Sequence, residues 1–291
     1  MPIDPKVALG QIVDPTETTW DKQALILYAL GLGVGVGQSQ VDQKRVLQYT
    51  YEKDLKAMPT YAVCPVYSSL MNIFNIEGMS FNPMMLLHGE QCTEIVKGPL
   101  PLEATVITEG KVTGVYDKGK AAIVTMDFIS KDKESGDVLI KNTFTAFIRG
   151  EGGFGGDAKA PAPGNEAPDR APDEVIEYGT TTSQALLFRL SGDPNPLHCD
   201  PDMAKMAGFD IPILHGLCTY GNVGRGVIEA YADNDPERFK SIRCRFSKPV
   251  FPGETVVVEM WKESDTKIIC QAKAKERDVL VMSNGCVELL G

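Results

Sequence analysis

Asp193, Asn195 and His198 fall within one short stretch, Ser191-Gly192-Asp193-Pro194-Asn195-Pro196-Leu197-His198. A carboxylate and a neutral imidazole that converge on one point can hold and deprotonate a water molecule. Their spacing does not put them on one helix face, so convergence demands a stiff loop. Pro194 and Pro196 supply stiffness, each fixing its own φ at about −65°. A second stretch, Ile213-Leu214-His215-Gly216-Leu217-Cys218, reads as a loop running into a helix N-terminus, where the first N–H groups lack intrahelical partners. An N–H there can bond an oxygen that gains negative charge during reaction. The two stretches together describe an acid/base pair facing an oxyanion donor.

Such groups need elements to hold them, and the chain supplies the same set twice. A threonine-rich approach, a capping residue (Asp21, Ser183) and a Gln-Ala-Leu helical pattern occur at residues 18–33 and again at 180–193. Lys97-Gly98-Pro99-Leu100-Pro101-Leu102-Glu103 resembles Lys248-Pro249-Val250-Phe251-Pro252-Gly253-Glu254. Each copy leads into β-branched segments alternating at period two, at 104–108, 122–129 and 138–148, then 255–260, 268–274 and 279–289. Two matches in one order at nearly one offset indicate an internal duplication. Residues 150–173, glycine-rich and then proline-rich, read as a linker between units at 1–149 and 174–291.

The fold class is therefore α+β. Each unit is predicted to have a leading helix, a site loop, a longer apolar helix (near 60–75 and 216–232) and a run of antiparallel strands. Where the second unit has Gly192-Asp193, the first has Gly31-Leu32-Gly33-Val34-Gly35 and no nearby histidine. One acid/base site per chain follows, with the first unit left to shape a cavity. The glycine run is not read as a dinucleotide fingerprint, which needs a preceding strand; here it ends a helix, as glycine commonly does.

Composition narrows the rest. The net charge of −10 speaks against nucleic acid or an anionic membrane surface as partner. Seven scattered cysteines without a C-x-x-C pair favour reduced thiols inside a cell over a disulfide framework or a metal site. The chain shows no signal-peptide pattern, no apolar run long enough to span a membrane and no C-terminal peroxisomal tripeptide.

Ser191 to His198, followed by Ala207-Gly208-Phe209 and by Pro212 to Thr219, resembles the hydratase 2 motif of the MaoC-like family. Tyr28-Ala29-Leu30-Gly31, Pro59-Thr60, Leu87-His88-Gly89-Glu90-Gln91, Asp117-Lys118-Gly119 and Gly152-Gly153-Phe154-Gly155-Gly156 agree in the first unit. The resemblance covers about residues 15–290. It implies a double hot dog, in which two long helices are each wrapped by an antiparallel sheet.

The resemblance also implies an (R)-specific enoyl-CoA hydratase of fatty acid β-oxidation that uses no cofactor, CoA being part of the substrate. By likeness, Asp193 and His198 activate the water, Asn195 orients the network, the Gly216 N–H binds the thioester oxygen, and Glu52 is needed for activity. His88, Gly89, Lys118 and Phe246, with Pro194, Pro196 and Leu197 of the site loop, match positions that contact the acyl-CoA substrate. Basic Arg243, Arg245 and Lys248 lie close by in sequence. A homodimer and a peroxisomal compartment, with the cytoplasm as alternative, follow from the same likeness.

Competing readings remain at this level. A hot-dog acyl-CoA thioesterase would send water to the thioester carbonyl, and a silent acyl-CoA-binding domain would not need the Asp193–His198 pair. His215 reads as a capping or packing residue. His88 is open between structural hydrogen bonding and ligand contact. Cys199 and Cys218 read as packing residues.

Overall fold

The alternating segments form strands of one antiparallel sheet in the computed structural model, which describes residues 3–37, 43–160 and 164–291. The first half supplies β1 (Ile12–Trp20), β2 (Leu86–Ile95), β3 (Ala104–Asp117), β4 (Ala121–Asp132) and β5 (Val138–Arg149). The second supplies β6 (Glu174–Gly179), β7 (Phe239–Phe246), β8 (Thr255–Lys262), β9 (Lys267–Ala274) and β10 (Val279–Leu289). The order is β1-β3-β4-β5-β2-β7-β10-β9-β8-β6. Read inward from each edge, both halves have one topology, which is the duplication seen in three dimensions. The halves join at β2–β7, paired from Glu90↔Arg245 to Glu94↔Ser241.

Seven helices accompany the sheet among the described residues: α1 (Pro5–Ala8), α2 (Lys22–Gly31), α3 (Gln43–Thr50), α4 (Val66–Met71), α5 (Gln184–Phe188), α6 (Pro201–Met206) and α7 (Gly216–Tyr231). The long helix α7 buries Leu217, Tyr220, Val223, Val227 and Ile228 against inward residues of its own half, among them Val256, Val258, Met260, Cys270 and Val287. These form the larger core. A second core gathers Val112, Val124, Met126, Phe144 and Ile148 of the first half's strands with Val66, Ile73 and Ile76.

The expected counterpart of α7 near 60–75 is not a long helix. It is a 3-10 turn at Pro59–Val63, then α4, then another 3-10 turn at Asn72–Asn75. Pro65 stands between the first two pieces at the N-cap of α4. It has no N–H to donate, and its ring would clash with a carbonyl of the preceding turn if the helix ran through. The apolar pattern predicted burial correctly but not continuity.

One of the two expected helix caps changes in detail. Asp21 caps α2 by accepting the Ala24 N–H at 2.9 Å, whereas Ser183 sits at the N-cap of α5 with no side-chain bond. The neighbouring Gln184 does the anchoring, its Nε2 donating to the Gly31 carbonyl at 2.6 Å. The two repeated leading helices therefore pack on each other, and Gly31 fits against Phe188 because a Cβ there would lie 3.1 Å from the Phe188 Cα.

The glycine-rich start of the predicted linker is ordered. Asp117 gathers it, Oδ1 accepting the N–H of Gly119 at 2.7 Å and of Gly153 at 2.9 Å, and Oδ2 that of Gly155 at 2.6 Å. Those bonds, Gly153 first, hold the Asp117 carboxyl below the usual carboxylate range.

Candidate active site

The loop between α5 and α6 turns on hydrogen bonds as well as on prolines. Gly192 has φ +119°, a left-handed value that favours glycine. Asp193 Oδ1 accepts the Asn195 N–H at 3.1 Å, and Asn195 Oδ1 accepts the Leu197 N–H at 3.0 Å. Two successive Asx turns thus brace the loop, and a 3-10 turn at Pro196–His198 sends His198 inward to 8% exposure. Asn195, Pro194 and Pro196 lie exposed and Leu197 is half-buried. Asn195 spends its side-chain oxygen on that turn, so its visible role is to shape the loop.

His198 Nδ1 lies 2.9 Å from the Ile213 carbonyl. A carbonyl oxygen only accepts, so Nδ1 carries the hydrogen and Nε2 keeps its lone pair for the site. Burial pushes the His198 pKa below the ordinary histidine value, opposed by the Asp193 charge and the Ile213 bond. The imidazole is therefore neutral, with Nε2 free to accept. Asp193, His198 and His215 each present a ligating atom within 4.8 Å of the others. The loop accordingly brings acid and imidazole together as the spacing required.

Those three residues have the donor types of a metal site, but their arrangement suits one poorly. His198 and His215 are stacked, with ring centroids 3.7 Å apart and 27° between planes. An ion in the plane of one ring would lie well out of the plane of the other.

His215 is the N-cap of α7 without a side-chain capping bond. It is 1% exposed, and burial first, then His198, lowers its pKa to about 2. Its other face meets Phe188 at 4.9 Å. Gly216 follows as the first helical residue, so its N–H has no acceptor one turn back. The Phe246 ring closes over it, 3.0 Å from where a Cβ would stand.

Phe246 carries the site across the β2–β7 seam. His88 packs between Phe246 at 4.7 Å and Phe144 at 4.2 Å. His88 pairs with Ala146 and Glu90 with Thr145, leaving Gly89 as an extra residue at the register shift, a bulge of the kind that re-aims a side chain. His88, Gly89, Phe246, Gly216, His215, His198 and Asp193 thus form one continuous line of contacts. Burial lowers the His88 pKa to about 3, so this histidine is neutral as well.

Lys118 occupies the exposed β3–β4 turn with its Nζ bonded to the Ala158 carbonyl. It is held beside the glycine loop, with no bond to the line of residues above. Glu52 is exposed in the turn after α3 and has no bond to any of them. Arg245 is committed to Glu90 at 2.6 Å. Cys218 is fully buried and its thiol pushed up by burial, a packing residue as expected.

Sequence reasoning missed Tyr67, Phe188 and the Ile213 carbonyl. Tyr67 lies in α4 of the first half, and its ring fits against Gly192, 3.1 Å from where a Cβ would stand. No local motif marks it, since only the packing of the halves brings it there.

The buried histidines set an acid limit on stability. The unfolded chain takes up their protons near pH ~6.5, whereas the folded chain resists until about 3 at His88 and about 2 at His215. Below ~6.5 the unfolded state binds more protons, so stability must fall as pH falls, by up to ~1.4 kcal/mol per pH unit for each histidine. Above that pH their contribution is constant. Denaturant midpoints should therefore be lower at pH 5.0 than at pH 6.5 and level from 7 to 8; equal midpoints at 5.0 and 6.5 would contradict the buried, neutral assignment.

Comparison with known proteins places the chain in a family. A family profile described as "MFE-2 hydratase 2 N-terminal domain" matches residues 19–150, and one described as "MaoC like domain" matches 164–284. The chain is 44% identical over 295 residues to the "Probable enoyl-CoA hydratase 2" of Dictyostelium discoideum, covering 98% of this chain and 96% of that one. A crystal structure of a MaoC-like dehydratase from Phytophthora capsici superposes with a TM-score of 0.83 at 36% identity, covering 99% and 98%. The full-length peroxisomal multifunctional enzyme type 2 of Drosophila melanogaster gives 0.81 at 40% identity, covering 96% of this chain and 48% of that one.

Proposed function

Because the chain belongs to the hydratase 2 family of MaoC-like proteins, with their double hot-dog fold, we infer that it hydrates trans-2-enoyl-CoA reversibly to (3R)-3-hydroxyacyl-CoA in fatty acid β-oxidation. The observation that carries this reading is the convergence of Asp193 and His198 beside the unpaired first N–H of α7.

A water between the Asp193 carboxylate and His198 Nε2 points its hydrogens at both and a lone pair at C3 of the bound enoyl thioester. As the C3–O bond forms, one water proton passes to the acid/base pair and the C2=C3 electrons shift toward the thioester carbonyl. That oxygen becomes enolate-like and accepts a hydrogen bond from the Gly216 N–H. The pair then delivers a proton to C2 from the face on which water added, giving syn addition. No net proton or electron is gained or lost, and the reverse sequence dehydrates the product.

In this reading His88, Gly89 and Phe246 line the path of the thioester, and Lys118 meets the CoA portion. Asn195 keeps the loop in register, and Glu52, exposed and apart from this line of contacts, keeps only the need for activity that the family likeness gives it. The first half, with its helix broken at Pro65 and no Asp–His pair where Gly31 to Gly35 replace the site loop, receives the acyl tail. Loss of enoyl-thioester absorbance should therefore be seen from C4 to C10 and beyond. Turnover confined to C4 would sink the tail assignment, and release of free CoA without 3-hydroxyacyl product would point to a thioesterase. A peroxisomal compartment rests on the likeness to relatives whose names carry that word, and a homodimer on the family resemblance alone. A monomeric mass in sedimentation, or cytoplasmic distribution in cells, would contradict them.

A further inference from the structure

We propose that Tyr67, contributed by the first half, donates a hydrogen bond to the reacting oxygen and so completes the site of the second half. The proposal rests on the hydratase reading above. Water poised between Asp193 and His198 uses both hydrogens there and one lone pair at C3. Its second lone pair needs a donor, or the water can rotate out of line.

Tyr67 is placed to be that donor. Its ring lies against Gly192, the residue before Asp193, closely enough that a Cβ there would meet Cδ2 at 3.1 Å. The ring is 9% exposed, and its hydroxyl is a buried polar atom with no partner among the described residues. A buried O–H without an acceptor is costly and calls for an explanation. The titratable groups facing it are Cys64, Asp193, Tyr28 and Cys218. Cys64, Tyr28 and Cys218 are fully buried, with their pKa values pushed up by burial, so they are neutral. Tyr28 already donates to Thr60 Oγ1 at 3.1 Å.

Asp193 is the one strong acceptor in the group, yet Tyr67 makes no direct bond to it. An oxygen between the two satisfies both, and the substrate water, or the 3-hydroxyl it becomes, is that oxygen. The phenol keeps its proton, burial raising its pKa well above the usual value, so it serves as a donor and not as a base. This gives the first half a part in the chemistry although its equivalent of the Asp193–His198 loop carries neither group.

Tyr67→Phe isolates the hydroxyl because the ring stays on Gly192. Expected are a kcat lower by about tenfold to a hundredfold, the loss typical of one hydrogen bond to a charged or reacting group, and a KM within about twofold of the parent. Hydration and dehydration should slow equally, the product should remain (3R), and the melting temperature should be unchanged. An unchanged kcat overturns the proposal, since packing alone would survive the substitution. So does a raised KM at constant kcat, which would mark ground-state binding, or a lowered melting temperature, which would mark a structural bond. Asp193→Asn is measured alongside: if it loses activity while Tyr67→Phe does not, Tyr67 fails and the hydratase reading stands. An inactive parent overturns both.

Discussion

Asp193→Asn should lower kcat for enoyl-CoA hydration by about 10²–10⁴-fold, the range for a positioned acid or base, with little change in KM or folding. The side chains are nearly the same shape. The asparagine oxygen can still accept the Asn195 N–H that Asp193 Oδ1 accepts at 3.1 Å, so the loop and His198 stay in place. What is lost is the negative charge and the basic oxygen that hold the water's hydrogen. His198→Gln should have a similar effect by removing the Nε2 lone pair that the Ile213 carbonyl at 2.9 Å keeps available. Because the two groups work on one water, the double variant should be scarcely slower than either single one. Additive losses would mean that they act in separate steps. Steady-state kinetics on all three variants, with circular dichroism for folding, decides it.

The second large effect concerns a hydrogen atom. Gly216→Pro removes the backbone N–H assigned to the thioester oxygen while leaving the helix able to form. Gly216 is the first residue of α7, a position where proline is well tolerated. His215 has φ −57° and ψ 131°, the conformation a residue before proline prefers. The complication is volume, since any Cβ there stands 3.0 Å from Phe246. Gly216→Ala carries the same Cβ and keeps the N–H, so it measures that crowding alone. The proline variant should fall on the order of 10²–10³ in kcat below the alanine variant. Equal kcat for the two would show that the thioester oxygen finds its donor elsewhere.

The sequence made a good deal of this legible, and the physics explains which parts. The strand repeats were readable because period-two alternation directly reports a half-buried sheet, and their mirrored order β1-β3-β4-β5-β2 and β6-β8-β9-β10-β7 returned the duplication. The Asp193 to His198 loop was readable because its geometry is local, set by prolines and Asx turns within a few residues. The break at Pro65 was visible in principle, but the apolar pattern around it was given more weight than the missing N–H. The stacking of His215 on His198 could not be read, since it depends on how Ile213 and the turn at Pro249 tie the approach to α7; Leu214 donates to the Val250 carbonyl at 2.8 Å. Tyr67 was invisible for a stronger reason. Its place against Gly192 exists only after two halves distant in sequence have docked.

Chiral analysis of the product formed from trans-2-decenoyl-CoA, by the parent and by Asp193→Asn in parallel, bears most directly on the central claim that this carboxylate and imidazole deliver water to C3. The account predicts (3R)-3-hydroxydecanoyl-CoA alone from the parent and almost none from the variant. A (3S) product, free CoA in its place, or undiminished hydration by Asp193→Asn would contradict it.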